Sequence, residues 1–275
     1  MGNETQSRRN NGHNGQKRTA LVTGASGGIG KELAQLFAAD GHDVVLVARS
    51  AKKLEEIAGD LTKAHGIKAH VVVADLGDHA ASAVVAEQVS RRGLTIDFLV
   101  NNAGFGSNGA FVDLELNREL EMIDVNVRAL VELTHHFAGP MRERRFGRIM
   151  NIASTAGFQP GPYMATYYAT KAFVVSFTEA LAYELADTGV TVTCHCPGAT
   201  ATEFASTAGN DKSKLFQRSG VADVKSVATH AYRAMISGDV LSIHGALNWI
   251  GMQGLRFAPR AVVRALAAGL NKSPS

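Results

Sequence analysis

The sequence predicts an α/β fold: one doubly wound parallel sheet of about seven strands with helices on both faces. Three observations carry that expectation. From Arg18 onward, short β-rich apolar runs alternate with longer segments of helical period, the order of parallel strands joined by right-handed crossovers. Runs such as Val44-Val45-Leu46-Val47 are apolar without alternation, as strands buried on both faces are. Four glycines, Gly24, Gly27, Gly28 and Gly30, fall just behind the first run, where a strand turns sharply into a helix.

The elements follow in order. Strands are predicted at Thr19–Val22, Asp43–Val47, Lys68–Val73, Asp97–Val100, Arg148–Ile152, Val190–Cys196 and Val240–Ile243. Helices are predicted at Ile29–Ala39, where Leu33, Leu36 and Phe37 share one face, and at Ala51–His65, Ala80–Arg91, Leu116–Arg144, Tyr168–Ala186 and Ala222–Ile236. Pro259 opens a last helix to about Leu270. With 275 residues, no repeat and no mid-chain linker, one domain is favoured over two. The expected division is a disordered polar tail over 1–17, a catalytic unit over 18–258, and a C-terminal helix with a frayed end over 259–275.

Composition removes several classes. Lys and Arg number 28 against 25 Asp and Glu, too balanced and scattered for a nucleic-acid or anionic-membrane surface. The basic run Arg142-Glu143-Arg144-Arg145 sits where a helix end favours cations. No uncharged apolar run reaches the length of a membrane span, and the polar start has no signal-peptide core. Cys194 and Cys196, the two cysteines, share one strand face, too far apart for a relaxed disulfide. No Cys/His set completes a metal site. A cytoplasmic protein with reduced thiols is expected.

In open parallel sheets ligands bind at the carboxyl ends of the strands, so the residues there carry the functional signal. Thr23-Gly24-Ala25-Ser26-Gly27-Gly28-Ile29-Gly30 joins a strand to a helix N-terminus, which offers unpaired N–H groups and positive dipole to a phosphate. Leu33 stands where the general dinucleotide fingerprint wants a third glycine, and no Gly-Lys-Ser/Thr of a P-loop follows. The spacing of Gly24, Gly28 and Gly30 instead resembles the T-G-x-x-x-G-x-G of short-chain dehydrogenases/reductases. Further matches follow in order over roughly residues 18–202: Asp75-Leu76, Asn101-Asn102-Ala103-Gly104, Asn126 inside the long helix, Ser154, Tyr167-x-x-x-Lys171, and Pro197-Gly198 with Thr202.

That resemblance implies a Rossmann-like fold and a catalytic set of Asn126, Ser154, Tyr167 and Lys171. A phenol alone, with pKa about 10, is a poor proton donor near neutrality, and a cation one helical turn away lowers that pKa. Tyr168 also stands one turn before Lys171; the family's thirteen-residue separation from Ser154 selects Tyr167. In the implied roles Tyr167 exchanges a proton with the substrate oxygen and Ser154 polarises it. Lys171 lowers the tyrosine pKa and holds the nicotinamide ribose, and Asn126 anchors a relay water. The cofactor is held by Gly24, Ser26, Gly28, Ile29, Gly30, Arg49, Asp75, Leu76, Asn102, Ala103, Gly104, Tyr167, Lys171, Pro197, Gly198 and Thr202. Strand two ends in Ala48-Arg49, where an NAD enzyme of this kind carries an acid. An arginine there pairs with a 2′-phosphate, so NADP(H) is expected, working mainly in carbonyl reduction.

The match fades past Thr202. The family places a mobile substrate lid near 203–220, and Phe204, Leu215 and Phe216 there, with Phe158, Pro160 and Tyr163, predict an apolar pocket. The end Ile243-His244-Gly245-Ala246-Leu247-Asn248 departs from the D-G-G type ending of bacterial β-ketoacyl-carrier-protein reductases. Trp249, Ile250, Met252, Leu255 and Phe257 form an apolar cluster with four readings: core packing, a pocket cover, an oligomer contact or a peripheral membrane contact. The resemblance implies a homodimer or homotetramer through the helices Leu116–Arg144 and Tyr168–Ala186. A non-catalytic NADPH-binding sensor of the same fold is the competing reading.

Overall fold

A computed structural model describes residues 16–202, 204–209, 221–255 and 257–272. Most of the polar tail, the lid residues Leu215 and Phe216, and the final Ser-Pro-Ser lie outside the described residues. The seven strands form one parallel sheet in the order β3-β2-β1-β4-β5-β6-β7. They are β1 (Thr19–Thr23), β2 (Asp43–Ala48), β3 (Ala69–Val73), β4 (Phe98–Asn101), β5 (Gly147–Ile152), β6 (Val190–Cys196) and β7 (Leu241–Ile243). Alternate residues of one strand enter opposite cores. Ala20, Val22, Val44 and Leu46 pack with α1 (Gly28–Ala39) and α2 (Ala51–His65), while Leu21, Val45 and Val47 pack with α3 (Ala81–Arg91). This is why the strands read as continuous apolar runs.

Local chemistry sets the helix ends. Ser50 caps α2, accepting from the Lys53 amide at 3.4 Å, and Gly66 ends it at φ 66°. The expected single helix over Leu116–Arg144 is interrupted: α4 (Leu116–Ile123) passes through a π-turn, Asp124–Arg128, into α5 (Ala129–Glu143). The reason is Asn126, whose amide is spent on another segment and whose backbone bulges to bring it inward. α6 (Ala165–Glu184) starts earlier than predicted, so Tyr167 lies in its first turn.

After β6 come a one-turn helix α7 (Phe204–Thr207), α8 (Val224–Ser237), α9 (Ala246–Gly254) and α10 (Arg260–Asn271). α8 closes the face opposite α3, with Ala231 and Met235 beside Phe37. α9, which carries Trp249 and Ile250, has no apolar period to announce it, and none of its residues is fully buried. Met252 packs against the core between β6 and α6, whereas Trp249, Ile250 and Phe257 stay exposed. Among the described residues, no helix is long and apolar enough to cross a membrane.

Candidate active site

The winding of the sheet reverses between β1 and β4, and a cavity of about 520 Å³ opens over the carboxyl ends of the strands there. The glycine turn forms its floor. Gly24 has φ 64°, and a side chain on it would lie 2.8 Å from Asn102 Nδ2. Gly30 is closer packed still: a Cβ would meet the Gly24 carbonyl and Asn102 Nδ2 at 2.5 Å. The turn is joined to the loop after β4 through Thr23, whose hydroxyl accepts from the amides of Asn102 and Ala103 at 2.9 and 3.0 Å. Asn102 Nδ2 returns a bond to the Thr23 carbonyl at 2.9 Å. α1 then starts at Gly28, behind Gly27, which offers no side-chain cap, and carries no acid in its first turn, so its N-terminal amides open on the cavity.

At one end stands Arg49, two-thirds exposed, its Nη1 4.0 Å from Asp75 Oδ2 and 3.8 Å from Glu121 Oε1. Neither distance is a close hydrogen bond. Asp75 Oδ1 is held by the Gly77 amide at 3.0 Å. Glu121 reaches this site from α4; nothing in its sequence surroundings marked it.

At the other end, Ser154 leaves β5 and caps a short 3-10 turn, Thr155–Phe158. Its Oγ accepts from the Ala156 amide at 3.1 Å and donates to the Pro197 carbonyl at 3.5 Å. The Tyr167 hydroxyl lies on the Ser154 side of the cavity; burial pushes its pKa up, and the Ser154 side chain pulls it down. Lys171 is buried and its Nζ donates to the Ile152 carbonyl at 2.8 Å. Burial lowers its pKa to about 8. The ammonium lies 5.8 Å from the centre of the Tyr167 ring, and the groups that shift the phenol here are its own burial, Ser154, Tyr168 and Cys196.

Asn126 is buried behind the cavity wall. Its Oδ1 accepts from the Phe105 amide at 3.1 Å, and its Nδ2 donates to the Phe105 carbonyl at 3.0 Å and the Thr170 hydroxyl at 3.1 Å. A Cβ at Gly104 would approach Asn126 Oδ1 to 2.9 Å, so this glycine lets the β4 loop lie flat on Asn126. The neighbouring Tyr168 hydroxyl donates to Asn271 Oδ1 at 3.2 Å.

Of the predicted site residues, all but Gly30 and Asn126 line this one cavity. Gly30 packs the turn against Gly24 and Asn102. Of the residues expected to make the apolar pocket, Phe204 lines the cavity, and Leu215 and Phe216 lie outside the described residues. Phe204 stands 5.1 Å from the Tyr167 ring, and Phe105, Met164 and Leu270 join it. Phe158 packs instead into the core between β6 and α6, and Pro160 and Tyr163 are not among the lining residues.

Residues 18–213 match the family model for short chain dehydrogenases. The chain belongs to the short-chain dehydrogenase/reductase family. An acetoacetyl-CoA reductase from an Acinetobacter species is 30% identical, the match covering 84% of this chain and 98% of that one. A short-chain dehydrogenase from Sphingobium yanoikuyae, solved in complex with NADPH, superposes with a TM-score of 0.79 at 34% identity over 87% of this chain and 94% of its own. The bulky-bulky ketone specific alcohol dehydrogenase from Comamonas testosteroni gives a TM-score of 0.74 at 31% identity over 87% and 92%.

Proposed function

We propose that this protein is an NADPH-dependent reductase of an apolar ketone or aldehyde, with Tyr167 as the proton donor to the forming alcohol. The observation that carries the reading is the meeting of Ser154, Tyr167 and Lys171 at one end of a cavity whose other end is a glycine turn and an arginine. The protein is an oxidoreductase acting between C=O and CH–OH groups. The residues present fit NADPH. The uncapped N-terminus of α1 suits a pyrophosphate. Arg49, exposed and in no close ion pair, suits a 2′-phosphate.

When bound, the nicotinamide supplies the hydride. Ser154 and the Tyr167 hydroxyl together donate hydrogen bonds to the substrate oxygen, where negative charge grows. Tyr167 then gives up its proton, and the Lys171 ammonium stabilises the phenolate left behind. Lys171 and Asn102 to Gly104 would hold the ribose side, and Asn126 fixes the Phe105 backbone under the site. Phe204, its ring 5.1 Å from that of Tyr167 and tilted 48° to it, supports an apolar substrate. The same reading includes a cytoplasmic site, supported by two unbridged thiols with Sγ atoms 3.7 Å apart. It includes a homo-oligomer through α5 and α6, supported by the stacked, partly exposed Phe173 and Phe177.

The test is loss of NADPH absorbance with a panel of aliphatic, aromatic and steroid ketones. Turnover that Tyr167→Phe abolishes is the expected result. Tight NADPH binding with no turnover, indistinguishable between wild type and Tyr167→Phe, would establish the sensor instead.

A further inference from the structure

The last helix carries an anomaly. Val263, Ala267 and Asn271 recur every fourth residue of α10 on its buried stripe, and Asn271 has no exposed surface at all. An asparagine on an apolar, buried stripe must find its partners inside the protein. Asn271 finds three, on three separate segments. Its Oδ1 accepts from the Tyr168 hydroxyl at 3.2 Å, and its Nδ2 donates to the Pro162 carbonyl at 3.1 Å. Its main-chain carbonyl accepts from Asn108 Nδ2 at 2.8 Å.

All three segments border the substrate end of the cavity. Asn108 follows β4 beyond Phe105, Pro162 leads into α6, and Tyr168 lies directly after Tyr167, their rings edge-to-face at 6.1 Å. The residue before Asn271, Leu270, is half-buried and lines the cavity together with Tyr168. A helix distant in sequence thus ends against the substrate side, fixed by one residue whose side chain bonds one loop and the tyrosine next to the proton donor and whose main-chain carbonyl bonds a second loop.

We propose that α10 is the outer wall of the substrate site, that Asn271 is the positioning residue that fixes it, and that Leu270 limits the size of ketone admitted. This rests on the reductase reading. One methylene in an apolar pocket changes discrimination by about tenfold or more, so Leu270 is placed to decide between small and bulky substrates. Asn271 touches neither cofactor-binding residue nor proton donor; it acts through Tyr168 and the two loops. Removing its amide leaves the Tyr168 hydroxyl and Pro162 carbonyl without these bonds, and the wall loosens.

The experiment compares full-length wild type, Leu270→Ala, Leu270→Trp and Asn271→Ala on matched small and bulky ketones. NADPH dissociation constants are measured by fluorescence, and hydrogen exchange is followed over residues 260–271. Leu270→Trp is expected to lower kcat/KM for the bulky ketone about tenfold more than for the small one, and Leu270→Ala to move the ratio the other way. Asn271→Ala is expected to shift the ratio as Leu270→Ala does, mainly through KM, with faster exchange in α10 and NADPH binding unchanged. A ratio constant within about twofold across both Leu270 variants overturns the wall, and unchanged exchange in Asn271→Ala overturns its positioning role. Should Asn271→Ala fail to fold, the Leu270 pair decides. A wild type that binds NADPH and reduces no ketone overturns the reductase reading itself, a result separate from turnover with an unchanged ratio.

Discussion

Replacing Arg49 by aspartate tests the cofactor assignment most directly. The guanidinium stands just past β2 with 66% of its side chain exposed, 4.0 Å from Asp75 and 3.8 Å from Glu121. A charge-assisted hydrogen bond from such a donor to a 2′-phosphate contributes about 1.5–3 kcal/mol, and exposure and salt favour the lower end. At about 1.4 kcal/mol per decade, losing the guanidinium alone lowers kcat/KM for NADPH about tenfold. Aspartate adds a second loss, because a third carboxylate then joins Asp75 and Glu121 around a phosphate of the same sign. Screened at the surface, that repulsion adds about 1–2 kcal/mol. The NADPH-to-NADH ratio of kcat/KM should therefore fall by about 100-fold in Arg49→Asp. NADH lacks the phosphate and loses neither contribution. The assay is initial-rate kinetics with both cofactors on one ketone, at low and high salt. The wild-type preference should shrink as salt rises. Equal losses with both cofactors, or an unchanged preference, would refute the role of Arg49.

Three further outcomes follow from the same geometry. Tyr167→Phe should lower kcat by about 100-fold or more while NADPH affinity stays within about twofold, since only the proton donor is lost; near-normal turnover would remove Tyr167 from the mechanism. Gly30→Ala places a Cβ 2.5 Å from the Gly24 carbonyl, so it should destabilise the protein by about 1–3 kcal/mol and weaken NADPH binding, read by urea titration and fluorescence; wild-type stability would contradict the packing. His195, buried beside His230 and His244, has its pKa lowered to about 3. The unfolded chain therefore binds the extra proton between about 3 and 6.5, and stability is lost as pH falls through that window, at up to about 1.4 kcal/mol per pH unit. His195→Gln should flatten the acid side of the urea-midpoint profile, and parallel profiles would count against it.

The strand and helix pattern was legible because each strand is buried on both faces and each crossover helix repeats its own period. Val44 to Val47 show it: consecutive residues of one run enter two different cores. The motif residues Gly24, Asn102 and Ser154 were legible because the strand ends are where an α/β sheet presents ligand-binding groups, and Tyr167 and Lys171 through their spacing from each other and from Ser154. The break in the long helix was hidden, since its cause is a bond from Asn126 to Phe105, twenty-one residues earlier. α9 was hidden because its apolar residues have no helical period to read. Of the predicted pocket residues, Phe158 turned into the core, for only packing tells which face of a short 3-10 turn meets the cavity.

By itself, then, the sequence determined the architecture, the glycine turn and the candidate pair Ser154 and Tyr167, all of which depend on local period, on residues close in the chain, or on motif spacing. The tertiary structure decided the strand order, the second acid beside Arg49, and the meeting of Asn271 with Tyr168, 103 residues away. Those depend on contacts between segments far apart in the chain, where no periodicity records the partner and only the closed fold brings the groups together.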